Sequence, residues 1–127
     1  MAYKKKSKKV KRQLSSAVVH VKATFNNTLV TITTEDGNVI LQGSAGKSGF
    51  KGSRKGTPFA ASQISSVLAK DMTLMGIKSV EVNLQGAGSG RDSVVRSLQG
   101  AGLNISVLRD VTPLPHNGCR APKKRRV

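Results

Sequence analysis

The residues with the clearest chemical potential are Gly46-Lys47-Ser48, inside the stretch 41–57, LQGSAGKSGFKGSRKGT. Gly-Lys-Ser closes the phosphate loop of nucleoside-triphosphate enzymes, where backbone N–H groups and the lysine cradle the phosphates. That loop needs a glycine five positions earlier, and here Leu41 stands there. Its helix should begin at the Lys-Ser, whereas the helix-start signal comes about ten residues later, at Thr57-Pro58. No acidic residue is placed as a magnesium partner. The stretch therefore does not read as a triphosphate site. The same residue types suit another phosphate. Gly43, Gly46, Gly49, Gly52 and Gly56 leave backbone N–H groups free, and Lys47, Lys51, Arg54 and Lys55 are interleaved with Ser44, Ser48 and Ser53. Such a loop moulds to a polynucleotide backbone, donating from main chain and side chain alike. The bland alternative is a mobile surface loop, which the regular spacing of cations speaks against. Phe50 reads as an anchor for the loop, because base-stacking platforms are usually richer in aromatics than a chain with three Phe, one Tyr and no Trp.

A second glycine loop, Gly86-Ala-Gly-Ser-Gly-Arg91, begins like a dinucleotide fingerprint but ends in Arg91 instead of glycine. No acid follows at the expected distance, and Asp110 is the nearest. A helix N-terminus with Ser89, Arg91 and Ser93 suits a single phosphate; a plain capped strand-to-helix turn is the alternative. His116-x-x-Cys119 is half a zinc site, and His20 is the only other histidine. The six acids are scattered, which argues against a metal-dependent nuclease. No cofactor or metal and no enzymatic activity is expected. Asn117-Gly118 is a tight-turn dipeptide prone to succinimide chemistry. Partial isoaspartate is expected there, and an isoaspartyl-specific assay on aged protein that finds none rejects the idea.

Charge says more than any of these motifs. The chain carries 22 basic and 6 acidic residues, a net charge of +16 over 127 residues. Seven of the cations, Lys4, Lys5, Lys6, Lys8, Lys9, Lys11 and Arg12, crowd the first thirteen residues without an acid. Five more, Arg120, Lys123, Lys124, Arg125 and Arg126, crowd the last eight. The glycine-rich stretch holds four, and the rest of the chain balances six cations against six acids. The excess thus lies on two tails and one loop around a neutral body. Three such clusters repel one another unless a polyanion joins them, so a nucleic acid is the expected partner. An acidic membrane surface fits less well, because the tails lack apolar anchors. No apolar run is long enough to span a bilayer, and none follows the basic N-terminus as in a secretory signal. One cysteine, Cys119, allows no internal disulfide and suits a reducing compartment.

The elements that must carry these groups read as β-β-β-α-β-α-β. Ala17 to Thr24 alternates, Phe25-Asn26-Asn27 turns, and residues 28–34 form a β-branched strand. Glu35-Asp36-Gly37-Asn38 is a hairpin turn leading to a strand over 39–42. Thr57 caps and Pro58 opens a helix whose apolar stripe is Ala60, Ile64, Val67, Leu68, Met72 and Met75, ended by Gly76. Residues 79–84 form a strand with Val80, Val82 and Leu84 on one face. A second helix buries Val94, Val95 and Leu98, ends at Gly102, and leads to a strand over 104–108. Residues 79–108 should form a parallel β-α-β unit. The expectation is one α/β domain with a mixed five-stranded sheet and two helices over 14–112, a basic disordered extension over 1–13, and an extended tail over 113–127, where Pro113, Pro115 and Pro122 break structure.

Taken together, several strings are specific. They are Ser44-Ala-Gly, Gly49-Phe-Lys-Gly-Ser-Arg-Lys55, Thr57-Pro-Phe-Ala-Ala61, Gly86-x-Gly-Ser-Gly-Arg91, Asp110-Val-Thr-Pro113, Pro115-His-Asn-Gly-Cys-Arg120 and Lys123-Lys-Arg-Arg-Val127. From about residue 15 onward the chain resembles the bacterial-type family of small-subunit ribosomal protein number eleven. It departs from that pattern at Gly56 (Ser in the pattern), Ala87 and Ala121 (Pro) and Gln42 (Trp). The resemblance implies a ribonuclease-H-like α/β fold without catalytic acids and a structural place on the platform of the small ribosomal subunit. Implied partners are small-subunit ribosomal RNA, the ribosomal proteins numbered seven and eighteen, and messenger RNA in the nearby exit cleft. Carried over by motif, Lys47, Lys51, Arg54, Lys55, Arg91, Arg120, Lys123, Lys124, Arg125 and Arg126 would touch RNA. The implied location is a ribosome in the cytoplasm, or in an organelle. The competing classes are a free basic nucleic-acid regulator, hinted at by the import-like Ala121-Pro-Lys-Lys-Arg-Arg-Val127, and a nucleotide-using enzyme.

Overall fold

The computed structural model describes residues 15–47, 49 and 51–124, with Ser53 and Arg54 described by backbone only. Five strands, β1 (Ser16–Ala23), β2 (Thr28–Thr33), β3 (Val39–Ser44), β4 (Ser79–Gln85) and β5 (Asn104–Asp110), form one sheet in the order β3-β2-β1-β4-β5. β2 runs antiparallel to both β1 and β3, while β4 is parallel to β1 and to β5. Helix α1 (Pro58–Leu74) connects β3 to β4, and α2 (Arg91–Gly100) connects β4 to β5. Both crossovers step across the sheet in the same direction. Right-handed connections must then put both helices on one face, and the two helices do share one core.

That core is built by alternation. Ala17, Val19, Val21 and Ala23 of β1, Val30 and Ile32 of β2, and Val80, Val82 and Leu84 of β4 are buried beneath the helices. From α1 come Ala60, Ala61, Ile64, Leu68, Ala69 and Met72, and from α2 come Val94 and Leu98. Each large aliphatic chain removed from water here contributes about 1.5–3 kcal/mol. Val67 departs from the expected stripe and is 57% exposed. The stripe follows steps of four residues from Ala60 and Ala61, which carries Val67 to the helix's outer side. Small residues at 61, 65 and 69 let α1 lie close to its neighbours.

Local signals held at the ends of elements. The Thr57 hydroxyl accepts a hydrogen bond from the Ala60 N–H, and Pro58 takes the first helical position, where a missing N–H costs nothing. Gly76 has φ of +85° just after α1, as a helix terminator requires. Two details escaped the sequence reading. Gly43 belongs to β3 and not to a phosphate loop: it pairs with Val30, and a Cβ there would press on Ile64 and Leu68. Within the glycine-rich stretch, residues Gly52–Gly56 form a short 3₁₀ turn.

Candidate nucleic-acid interface

Because β1, β3, β4 and β5 are all parallel, their C-terminal ends lie along one edge of the sheet. The turn 24–27, the loop 45–57, the loop 86–90 and the start of the C-terminal tail all leave from this edge, as do the N-termini of both helices. Open α/β sheets bind ligands at this edge, where loops fan out and helix N-termini present free N–H groups. The acidic hairpin with Glu35 and Asp36 lies at the opposite end. The fold thus sorts charge: the basic loop and the root of the basic tail leave from one edge, away from these acids.

Lys47 and Lys51 are exposed, and Lys55 is half-buried beside Gly46. Arg120, Lys123 and Lys124 are exposed on the tail, which has no helix or strand from Val111 to Lys124. None of these six is in an ion pair with another described residue; the pairs among described residues join Arg91 to Asp110 and Arg109 to Glu81. The remaining cations of the sequence reading, Lys4, Lys5, Lys6, Lys8, Lys9, Lys11, Arg12, Arg125 and Arg126, lie outside the described residues, as do Phe50 and the side chain of Arg54.

Arg91 is differently placed. Its guanidinium donates to the Gly86 carbonyl and to the Asp110 carboxylate, both at 2.9 Å. Asp110 also accepts from the Thr112 hydroxyl and from the Thr112 N–H, and the Gly86 N–H donates to the Thr112 hydroxyl. These bonds, those from Thr112 ahead of those from Arg91, hold the Asp110 carboxyl at about 2, below its ordinary value of 3.8. The network ties the root of the basic tail to the second glycine loop and so fixes where the tail departs.

That loop is packed, not open. A Cβ at Gly86 or Gly88 would lie 2.3 Å from the Ala23 carbonyl oxygen or 2.4 Å from that of Thr24, and one at Gly90 would lie 2.5 Å from the Thr28 hydroxyl. The Gly88 N–H donates to the Ala23 carbonyl, so this amide is already used within the protein. The glycines serve close backbone approach between β1, β2 and α2. The Ser89 hydroxyl donates to the Gly56 carbonyl at 2.7 Å and so joins the two glycine loops. Among the described residues no group of three or more His, Cys, Asp or Glu side chains could hold a metal ion, and no helix is long and apolar enough to cross a membrane.

The geometry defines a basic α/β domain with a cation-rich loop and the root of a cation-rich tail at one sheet edge. Comparison with known proteins makes the assignment particular. The family model described as Ribosomal protein S11 matches residues 17–126, and the chain belongs to that family. It is 56% identical to the small ribosomal subunit protein uS11 of Solibacter usitatus (strain Ellin6076), over 99% of this chain and 95% of the relative. The protein is thus a small-subunit ribosomal protein, of a structural and not a catalytic family.

Proposed function

We propose that this chain binds small-subunit ribosomal RNA at the platform of the subunit. There it bridges RNA helices and helps form the cleft where messenger RNA leaves. The observation that carries the reading is a basic loop and the root of a basic tail leaving one strand edge, with their described cations in no ion pair, in a member of this ribosomal family. Lys47, Lys51, Arg54, Lys55, Arg120, Lys123, Lys124, Arg125 and Arg126 are assigned to phosphate contacts, together with the N-terminal lysines and Arg12. Arg91 contributes its half-exposed guanidinium and holds the tail root. The neutral core sets position, while loop and tails neutralise phosphates and release counterions. The neighbouring ribosomal proteins numbered seven and eighteen are the proposed protein contacts, and the ribosome of the cytoplasm the proposed location.

Sucrose-gradient fractionation of native lysate at moderate and then high salt tests this. Co-migration with the small subunit that persists until salt is high is the expected result. A chain found at the top of the gradient at moderate salt overturns it.

A further inference from the structure

Phe25 is an aromatic side chain that the core does not use: it is 81% exposed. The turn that carries it, by contrast, is closed by hydrogen bonds between the residues on either side. The Thr24 N–H and the Thr24 hydroxyl both donate to the Asn27 carbonyl, the Asn27 N–H donates back to the Thr24 hydroxyl, and the Asn27 side-chain oxygen accepts from the Thr28 N–H. The turn is also wedged from behind. A Cβ at Gly56 would lie 2.2 Å from the Phe25 carbonyl oxygen, so only a glycine lets the 3₁₀ turn press so closely on it. Gly56 follows Lys55, whose side chain lies beside Gly46, the residue before Lys47. A rigid turn thus displays a bare aromatic ring at the basic edge of the sheet.

We infer that Phe25 is a stacking platform for an unpaired base of the RNA whose phosphates the neighbouring lysines hold. The inference rests on the RNA-binding reading above and adds to it a preference for single-stranded nucleotides. A ring kept in water, on a turn already closed by hydrogen bonds, offers its face to any splayed base. A base-paired helix offers no such face along its length. Leu74 is as exposed, at 86%, but sits at the end of α1 on the opposite edge of the sheet, near Asp71. It supplies the control position.

The chain contains no tryptophan and one tyrosine, Tyr3, so Phe25→Trp and Leu74→Trp each introduce a single tryptophan into the full-length protein, excited selectively at wavelengths where tyrosine does not absorb. Each is titrated with a single-stranded oligoadenylate and with a duplex RNA of equal phosphate count. The expected result is quenching of the Phe25→Trp emission by the single strand, little by the duplex, and none for Leu74→Trp with either. Phe25→Ala should weaken single-strand binding about 5- to 100-fold. It should leave the slope of log K against log salt unchanged, because phenylalanine neutralises no phosphate. Binding that persists at wild-type affinity in Phe25→Ala, or equal quenching by duplex and single strand, overturns the stacking inference and leaves the electrostatic reading standing. Failure of every variant, and of the wild type, to bind either RNA at physiological salt overturns both.

Discussion

The Arg91 guanidinium lies 2.9 Å from the Asp110 carboxylate, joining the first residue of α2 to the last residue of β5. This pair makes the strand edge a defined platform rather than a set of separate loops. Arg91 also holds the Gly86 carbonyl, and Asp110 also holds Thr112, so three segments of chain meet at one ion pair. The direct consequence is a fixed exit for the basic tail. Replacing Arg91 with Ala should leave the core intact and melting little changed. It should speed amide exchange at Thr112 and expose residues 111–115 to protease. Unchanged exchange at Thr112 would show that Thr112 alone orders the root.

The same network makes a pH prediction. The folded Asp110 carboxyl titrates at about 2, against an ordinary value of 3.8. A lowered folded value means that the unfolded chain takes up the proton first as pH falls. The network's contribution is therefore complete above about pH 4 and fades as pH drops through about 2. Following the Asp110 carboxyl carbon by NMR should give a midpoint well below that of an exposed aspartate. In Thr112→Val, which removes the hydroxyl donor, the midpoint should move up.

Gly88 and Gly90 are required for space, and the cost of filling it is measurable. Gly88→Ala sets a methyl against the backbone of residues 23 and 24, and Gly90→Ala sets one against Thr28 and Ala61. Each should destabilise by about 1–3 kcal/mol through forced displacement. Gly100→Ala is the counterpart, since nothing lies within 4 Å of a Cβ there and its φ is ordinary. It should be neutral or stabilise by up to about 1 kcal/mol. Urea unfolding of the three variants checks the sign of each.

The Thr57 cap predicts a further loss. Thr57→Ala removes the acceptor for the Ala60 N–H and should cost about 0.5–2 kcal/mol, read as a shifted urea midpoint at constant slope.

Salt dependence separates loop from tail. Changing Lys47, Lys51 and Lys55 together to Gln should flatten the salt slope of RNA binding by about 2–3, since each phosphate contact contributes roughly 0.7–0.9. A slope that does not move would place those lysines away from the backbone.

The sequence by itself determined the elements and the excess charge. Alternation in β1 and β4, the Thr57-Pro58 start and the Gly76 stop are local preferences that packing did not override, and all reappear in the structure. The basic loop and tail were legible because charge needs no fold to be counted. What only the tertiary structure decided is which groups meet. A bulge at Val80/Glu81 shifts the pairing, so that β5 changes which residues face the helices. Ile105 pairs with buried Val80, and past the bulge it is Asp110 that pairs with buried Leu84. Simple alternation from Ile105 would have turned Asp110 to the other face, out of reach of Arg91. Sequence alone therefore leaves Arg91 an RNA contact by resemblance, and the second glycine loop open between a single-phosphate site and a plain strand-to-helix turn. The fold spends those glycines on close contacts with Ala23, Thr24 and Thr28, residues more than sixty positions away that only parallel pairing of β1 with β4 brings beside them. Sequence alone presents Phe25 as a turn residue for the same reason: its exposure at a basic edge exists only once the strands are ordered.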